Sequence, residues 1–310
     1  MSAKILSGKD FADAINAETR VAIERFCEDH GRSPALTVVR VGNDPASDVY
    51  VNKKVKSAGG LGMISHHHHV ADTITNHELL QLIASLNENP EVDGILVQLP
   101  LPKGIDERLV LESVDPKKDV DGFHPVNAGN LWLGHETLVP CTPAGVIEIL
   151  KRSDIEIAGR EAVIIGRSNI VGKPMAALLL KENATVTLAH SRTANLAEVT
   201  RRADILVAAV GRAAFITAEH IKEGAVVIDV GINRLEDISR LSDVFSNDEI
   251  EKRGAAIDAR GFTLIGDVNP RDAAEKASHF TPVPGGVGPL TVSMLMKNTV
   301  TAAKLRIRNL

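Results

Sequence analysis

Cysteine, aromatic residues and long apolar runs are all scarce in this sequence, and each scarcity removes a class of protein. Only two cysteines occur, Cys27 and Cys141. They lie far apart and without partners at metal-ligand spacing, so no disulfide framework, zinc site or cysteine catalysis is expected. No run approaches the ~18 apolar residues that a membrane span needs, and MSAKILSGKDF carries no apolar stretch of signal-peptide length after its lysine. A cytoplasmic protein with no membrane partner is the expectation. Charge of one sign is not gathered into blocks: acidic and basic residues mix along the chain to a net -5. A phosphate-binding stripe is absent, so nucleic acid is not an expected partner.

Aromatic residues make up 3% of the chain against 44% hydrophobic residues in all, so the core must be built from Ala, Val, Ile and Leu. That composition suits buried parallel strands covered by helices. The length of 310 residues points to about two domains. Between residues 10 and 100 helical and apolar stretches alternate: a helix from Lys9 to His30, a strand Ala35 to Val41 and a helix from Asp44-Pro45. A third helix, Asn76 to Leu86 with Asn76 as N-cap, leads into a strand Gly94 to Gln98. Helices between strands imply parallel pairing.

From Leu99 to Pro143 the chain is rich in Pro, Gly, Asp and Asn, a composition of turns. Thr142-Pro143 then reads as an N-cap with proline at N1, opening a helix to about Arg152. Strands follow at 162–165, 185–188, 205–208 and 225–229, with a weaker one near Phe262 to Ile265, the pattern of a doubly wound nucleotide-binding sheet. The polar segment Arg234 to Arg260 reads as a surface excursion, and a last amphipathic helix runs from Leu290 to about Leu305. The expected fold is therefore α/β in two domains with a cleft between them: an N-terminal substrate domain, 1–140 completed by 288–310, and a Rossmann-type domain, 141–287.

Directly after the strand Val163 to Ile165 stands Gly166-Arg167-Ser168-Asn-Ile-Val-Gly172, with a helical run behind it. A strand, a tight turn and a helix N-terminus bring amide N–H groups and the positive dipole end to one place, where a pyrophosphate is stabilised. The fit to G-x-G-x-x-G is imperfect, since Ser168 replaces the second glycine and the last glycine comes one residue late. About twenty residues on, an NAD site places a carboxylate for the ribose 2′-hydroxyl. Here that place reads Ala189-His190-Ser191-Arg192-Thr193, with donors and no acid. Arg167, Ser191 and Arg192 suit a 2′-phosphate, which favours NADP; ordinary turn residues are the competing explanation.

Asp44-Pro45 starts a helix on which Tyr50 and Lys54, four residues apart, share one face. A lysine shielded from water can titrate near neutrality and transfer protons, whereas most lysines are simply solvated. Gln98, at the end of an apolar strand, sits where α/β sheets place ligand groups. Asp121 suits the N–H and amino groups of a ligand, or else organises its own turn. Pro284-Gly285-Gly286, within Thr281 to Pro289, reads as a shaped loop that lets a ligand approach closely. The run His66 to His69 falls on an extended segment whose alternate rings face opposite sides, so no shared metal is expected.

In order along the chain, VGNDPASDVYVNKKVK, DGILVQLPLP, KDVDGFHPVNAGNL, PCTPAGV, GRSNIVGKPMA, VIDVGINR and TPVPGGVGPLT resemble the bifunctional methylenetetrahydrofolate dehydrogenase/methenyltetrahydrofolate cyclohydrolase family of bacterial FolD type. The resemblance implies Lys54 as catalytic acid/base, Tyr50 as its orienting and substrate-stacking partner, Gln98 as the residue tuning the lysine and Asp121 as the pterin anchor. It also implies NADP contacts from Gly166, Arg167, Ser168, Ser191 and Ile232, tetrahydrofolate one-carbon substrates, and a homodimer. Two rivals stand beside it. Another NADP-dependent two-domain dehydrogenase, of a small hydroxy or amino acid, explains the cofactor loop alone, and a nucleotide-binding scaffold predicts binding without turnover.

Overall fold

The computed structural model describes residues 3–308. Met1, Ser2, Asn309 and Leu310, which the expected domain ranges include, lie outside the described residues. The chain runs β1 (Lys4–Ile5), α1 (Gly8–His30), β2 (Ala35–Val41), α2 (Pro45–Leu61), β3 (Ile64–Val70), α3 (Asn76–Glu88), β4 (Gly94–Val97), α4 (Glu107–Ser113), α5 (Pro125–Leu133) and α6 (Cys141–Arg152). It continues with β5 (Glu161–Ile165), α7 (Gly172–Lys181), β6 (Thr185–Ala189), α8 (Leu196–Thr200), β7 (Ile205–Ala208), β8 (Val226–Asp229) and β9 (Asn233–Leu235). The rest is α9 (Leu241–Val244), α10 (Asn247–Arg260), β10 (Thr263–Ile265), α11 (Pro270–Lys276), β11 (His279–Phe280) and α12 (Val287–Arg308). Two compact units result: Ala12–Cys141 with Thr291–Leu310, and Thr142–Leu290 with the residues up to Phe11.

The first unit is built on a parallel sheet in the order β3-β2-β4. Its central strand, Ala-Leu-Thr-Val-Val-Arg-Val, is buried along its whole length, which its β-branched residues suit. Val39, Ile95 and Val97 from the sheet meet Leu79 and Ile83 of α3 and Val110 of α4 in one core. Each such side chain contributes about 1.5–3 kcal/mol by leaving water. The N-cap of α3 is Thr75 rather than Asn76: its hydroxyl accepts from Glu78 N at 3.2 Å while the Glu78 carboxylate takes the Thr75 N–H at 2.9 Å. This reciprocal pair satisfies two amides, more than Asn76 alone offered. The last helix is tied into the unit at both ends of its second half. Asn298 Nδ2 donates to Val120 O and Val139 O at 2.8 Å, and Arg306 with Arg32 brackets the fully buried Asp93 at 2.8 and 2.6 Å.

β3 forms the edge of that sheet, and the four histidines lie on it. His67 and His69 stack on one side with ring centroids 6.2 Å apart, as the alternation of a strand requires. Among the described residues no group of three or more His, Cys, Asp or Glu is placed to hold a metal.

The second unit carries a six-stranded parallel sheet in the order β1-β11-β8-β7-β5-β6. The chain leaves β5 for β6 on one side and returns to β7 on the other, so a switch point opens between the C-terminal ends of β5 and β7. Several expectations are corrected here. The strand near Phe262 to Ile265 does not join this sheet; β10 pairs antiparallel with β9. The sheet is completed by β11 and β1, two-residue strands too short to leave a periodicity. The segment Arg234 to Arg260 is no plain excursion either: Leu235, Leu241, Val244 and Phe245 close a small core with Ile265, packed by Ile250 and Ile257 of α10. Helix α6 begins at Cys141, so Thr142 lies inside its first turn, and α12 begins at Val287, taking Pro289 into its first turn where a missing N–H costs nothing.

Candidate active site

Helix α2 positions the lysine. Asp44 caps it by accepting from Ser47 N and Ser47 Oγ, both at 2.8 Å, Pro45 sets its first turn, and the buried Arg40 of β2 pairs with Asp48. One turn apart on this clamped helix stand Tyr50, whose ring is exposed, and the half-buried Lys54. Lys54 Nζ donates to Gln98 Oε1 at 3.0 Å. The amide of Gln98 cannot turn freely, because its Nε2 donates to Leu99 O at 2.6 Å. Its oxygen is thereby committed to the lysine.

Asp121 is the third member. Burial pushes its carboxyl up to about 6, the positive charge of Lys54 pulls in the opposite direction, and Asp119 adds to the rise. The turn that presents it is organised by Asp119, whose Oδ2 accepts from His124 N at 2.8 Å and Asn127 Nδ2 at 2.9 Å. Cys141 lies behind, buried, with its thiol pushed up mainly by that burial and donating to Val120 O at 3.4 Å. A neutral thiol so enclosed is no nucleophile. The structure thus joins Lys54 to Gln98, within the electrostatic reach of Asp121, and sets Tyr50 one turn away on the same helix.

In the second unit a groove of about 510 Å³ opens at the switch point. Gly166 and Arg167 line it after β5, His190, Ser191 and Thr193 after β6, and Val210, Arg212 and Phe215 after β7. Gly166 has φ +133°, and a Cβ there would meet Ala209 O at 2.2 Å, so only glycine lets the two strand ends approach. Ser168 does not line the groove; its Oγ accepts from Val171 N at 3.1 Å and Gly172 N at 3.3 Å, which fixes the start of α7. Arg192 is exposed just beyond the lining residues, and Ile232 stands half exposed past β8. No acidic side chain is among the lining residues. An acid-free groove with two arginines, at the carboxyl ends of parallel strands, fits a phosphorylated dinucleotide. A second cavity of about 450 Å³ sits at the opposite ends of the strands, where Asp204, Lys222 and Val226 begin β7 and β8 or precede them. That is the amino-terminal end of the strands, opposite the switch point.

The loop of Pro284, Gly285 and Gly286 packs on the start of α1. Gly8 N donates to Gly285 O at 2.8 Å, and a Cβ on Gly8 would meet Gly286 O at 1.6 Å. Gly8 was not among the residues singled out from the sequence, because a glycine at a helix start is unremarkable until the second backbone is seen. Two further residues escaped that reading. Asp267, fully buried, holds the turn after β7 through Val210 N, Gly211 N and Arg212 N at 2.5, 2.9 and 2.9 Å. Arg212 lines the groove from that turn.

Comparison with known proteins covers both units. The family description "Tetrahydrofolate dehydrogenase/cyclohydrolase, catalytic domain" matches residues 6–121, and its companion "NAD(P)-binding domain" matches residues 140–307. The chain is 52% identical to a "Bifunctional protein FolD" of Koribacter versatilis over 100% of this chain and 99% of the relative, and 51% identical to one of Acetivibrio thermocellus over 99% of each. Among solved structures, the bifunctional FolD methylenetetrahydrofolate dehydrogenase/cyclohydrolase of Campylobacter jejuni superposes with a TM-score of 0.88 at 43% identity, covering 98% of this chain and 100% of that one. The Trypanosoma brucei methylenetetrahydrofolate dehydrogenase-cyclohydrolase, solved with NADP and an inhibitor, superposes with a TM-score of 0.88 at 37% identity over 99% of each chain. With the lysine site in one unit and the acid-free groove in the other, this chain belongs to the tetrahydrofolate dehydrogenase/cyclohydrolase family.

Proposed function

We propose that the protein oxidises 5,10-methylenetetrahydrofolate to the 5,10-methenyl cation with NADP⁺, then hydrolyses that cation to 10-formyltetrahydrofolate. The observation that carries this reading is the bond from Lys54 Nζ to Gln98 Oε1, in reach of the field of Asp121. Bound in the groove, NADP⁺ supplies the acceptor for the hydride that leaves the one-carbon bridge. All else is done by side chains. Gly166, Arg167, Ser191 and Arg192 hold the phosphates, with Ser168 fixing the helix start beside them and Ile232 flanking the nicotinamide end. Asp121 accepts hydrogen bonds from the N–H and amino groups of the pterin, and the Tyr50 ring stacks on the substrate. The loop of Pro284, Gly285 and Gly286 lets a ligand approach its backbone closely.

The hydrolytic half needs proton movement. Water adds to the methenyl carbon, one of its protons departs, and the bond from that carbon to one ring nitrogen breaks as the nitrogen gains a proton. Lys54 relays that proton, and Gln98 aims its Nζ by holding one N–H. The rival dehydrogenase of a hydroxy or amino acid explains the groove but leaves the lysine site without work. Among the described residues no helix is long and apolar enough to cross a membrane. A cytoplasmic homodimer completes the proposal, on family grounds.

A coupled assay tests it: the protein is mixed with methylenetetrahydrofolate and NADP⁺, and NADPH and the formyl product are read together. Both are expected to accumulate. NADPH without formyl product removes the hydrolytic half, and neither product removes the reading.

A further inference from the structure

The groove holds a cation that the usual reading of such sites, built on the glycine turn and the end of the second strand, leaves out. Arg212 comes from the turn after β7, on the far side of β5 from Ser191. Three observations converge on it. Its backbone is immobilised, because Asp267 Oδ1 accepts from Arg212 N at 2.9 Å while Oδ2 takes the two preceding amides. Asp267 is in turn seated by Asp229, whose carboxylate accepts from Asp267 N at 2.9 Å and Val268 N at 2.8 Å. Its guanidinium carbon rests 4.2 Å over the centroid of the Phe215 ring, a cation–π contact. Its donors are uncommitted: neither Arg212 nor Arg167 makes a side-chain hydrogen bond or ion pair among the described residues, and no acid lines the groove.

A rigidly mounted guanidinium with its fork of N–H groups unpaired is a receptor for an anion with two or more oxygens. We propose that Arg212 is a specificity residue for the phosphorylated ribose of the cofactor, reading the 2′-phosphate from the β7 side as Arg167 and Ser191 read it from the other. This rests on the NADP reading of the groove. Arg212 and Arg192 are both exposed, but Arg212 lines the groove and is fixed at both its backbone and its side chain. It therefore loses little freedom on binding, and the larger share of discrimination falls to it.

The test measures equilibrium binding of 2′,5′-ADP and 5′-AMP, which differ only in the 2′-phosphate, to the full chain and to the variants Arg212→Ala, Arg212→Lys and Arg192→Ala. The wild type is expected to prefer 2′,5′-ADP. Arg212→Ala is expected to lose about tenfold or more of that preference, as loss of a charge-assisted hydrogen bond dictates, with 5′-AMP binding unchanged. Arg212→Lys keeps the charge without the fork and falls between, while Arg192→Ala costs less than Arg212→Ala. A preference retained in Arg212→Ala overturns the inference, as does an equal loss for both nucleotides, which assigns Arg212 to the adenosine instead. If the wild type itself shows no preference, the NADP reading fails first and this inference with it.

Discussion

Lys54 and Gln98, 44 residues apart in sequence, meet through a 3.0 Å hydrogen bond from Nζ to Oε1. One residue rides on a helix clamped by Asp44 and Asp48, the other ends a buried strand whose following carbonyl pins the amide. Lys54 Nζ is thus aimed by a neutral acceptor.

Replacing Lys54 with methionine keeps an unbranched side chain, one atom shorter, and removes the ionisable group. Cyclohydrolase activity of Lys54→Met is expected to fall by roughly 10²-fold or more, the usual weight of a positioned acid/base. Formyl product is measured from preformed methenyltetrahydrofolate, and wild-type turnover would sink the assignment. Gln98→Glu is expected to slow the same step by pairing the ammonium with a carboxylate, with the loss visible in the pH profile.

Asp121 is held at about 6 mainly by burial. Its folded value lies above the ordinary 3.8, so the native state binds the proton more tightly than the unfolded chain. Stability from this group is present below about 4, declines as pH rises and is lost above about 6, a span of roughly 3 kcal/mol at most. Asp121→Asn is therefore expected to raise Tm at pH 8 and leave it nearly unchanged at pH 4. Folate KM should rise roughly tenfold from the lost charged acceptor. Equal Tm shifts at both pH values would remove the argument.

Gly166→Ala sets a Cβ against Ala209 O at 2.2 Å, at φ +133°. The turn must open, costing about 1–3 kcal/mol of stability, and the groove loses its shape. NADP⁺ binding, read by titration, is expected to weaken more than folate binding does. Unaltered cofactor affinity would mean that the turn does not shape the site.

Lys118 is buried and donates to Leu86 O, Asn87 O and Asn89 O at 2.9, 2.7 and 2.7 Å, closing the C-terminal end of α3. Burial, with Arg306 nearby, lowers it to about 8. Its folded value lies below the unfolded one, so stability rises as pH climbs from about 8 towards 10.5. Lys118→Met strands three carbonyls and is expected to cost about 3 kcal/mol or more, with turnover per folded molecule intact. Denaturant midpoints check it, and a midpoint equal to wild type would refute the capping role.

The strands of both sheets were legible where apolar residues run together, as in Ala35–Val41, and the helices where a cap and a proline mark the start, as Asp44-Pro45 does for Pro45–Leu61. The failures have physical causes. Thr75 and Asn76 are both good caps, and only the reach of the Glu78 carboxylate decided between them. The apolar residues of 235–257 are spread over short elements without a shared period, so their small core appears only once Ile265 closes it. β11 and β1 contribute two residues each, below any periodic signal.

By itself the sequence determined the α/β class, the ordered motifs of the folate dehydrogenase family and the residue types that carry its chemistry, because these are local patterns written in consecutive positions. Tertiary structure alone decided which of them meet. Lys54 finds Gln98 because α2 packs on β2, the strand that pairs with β4, and Arg212 shares a groove with Ser191 because β7 and β6 flank β5 on opposite sides. A counting rule along the chain leads from Gly166 to the end of the next strand and so to Arg192. The switch point in the sheet brings in the strand after it, which no spacing in the sequence announces.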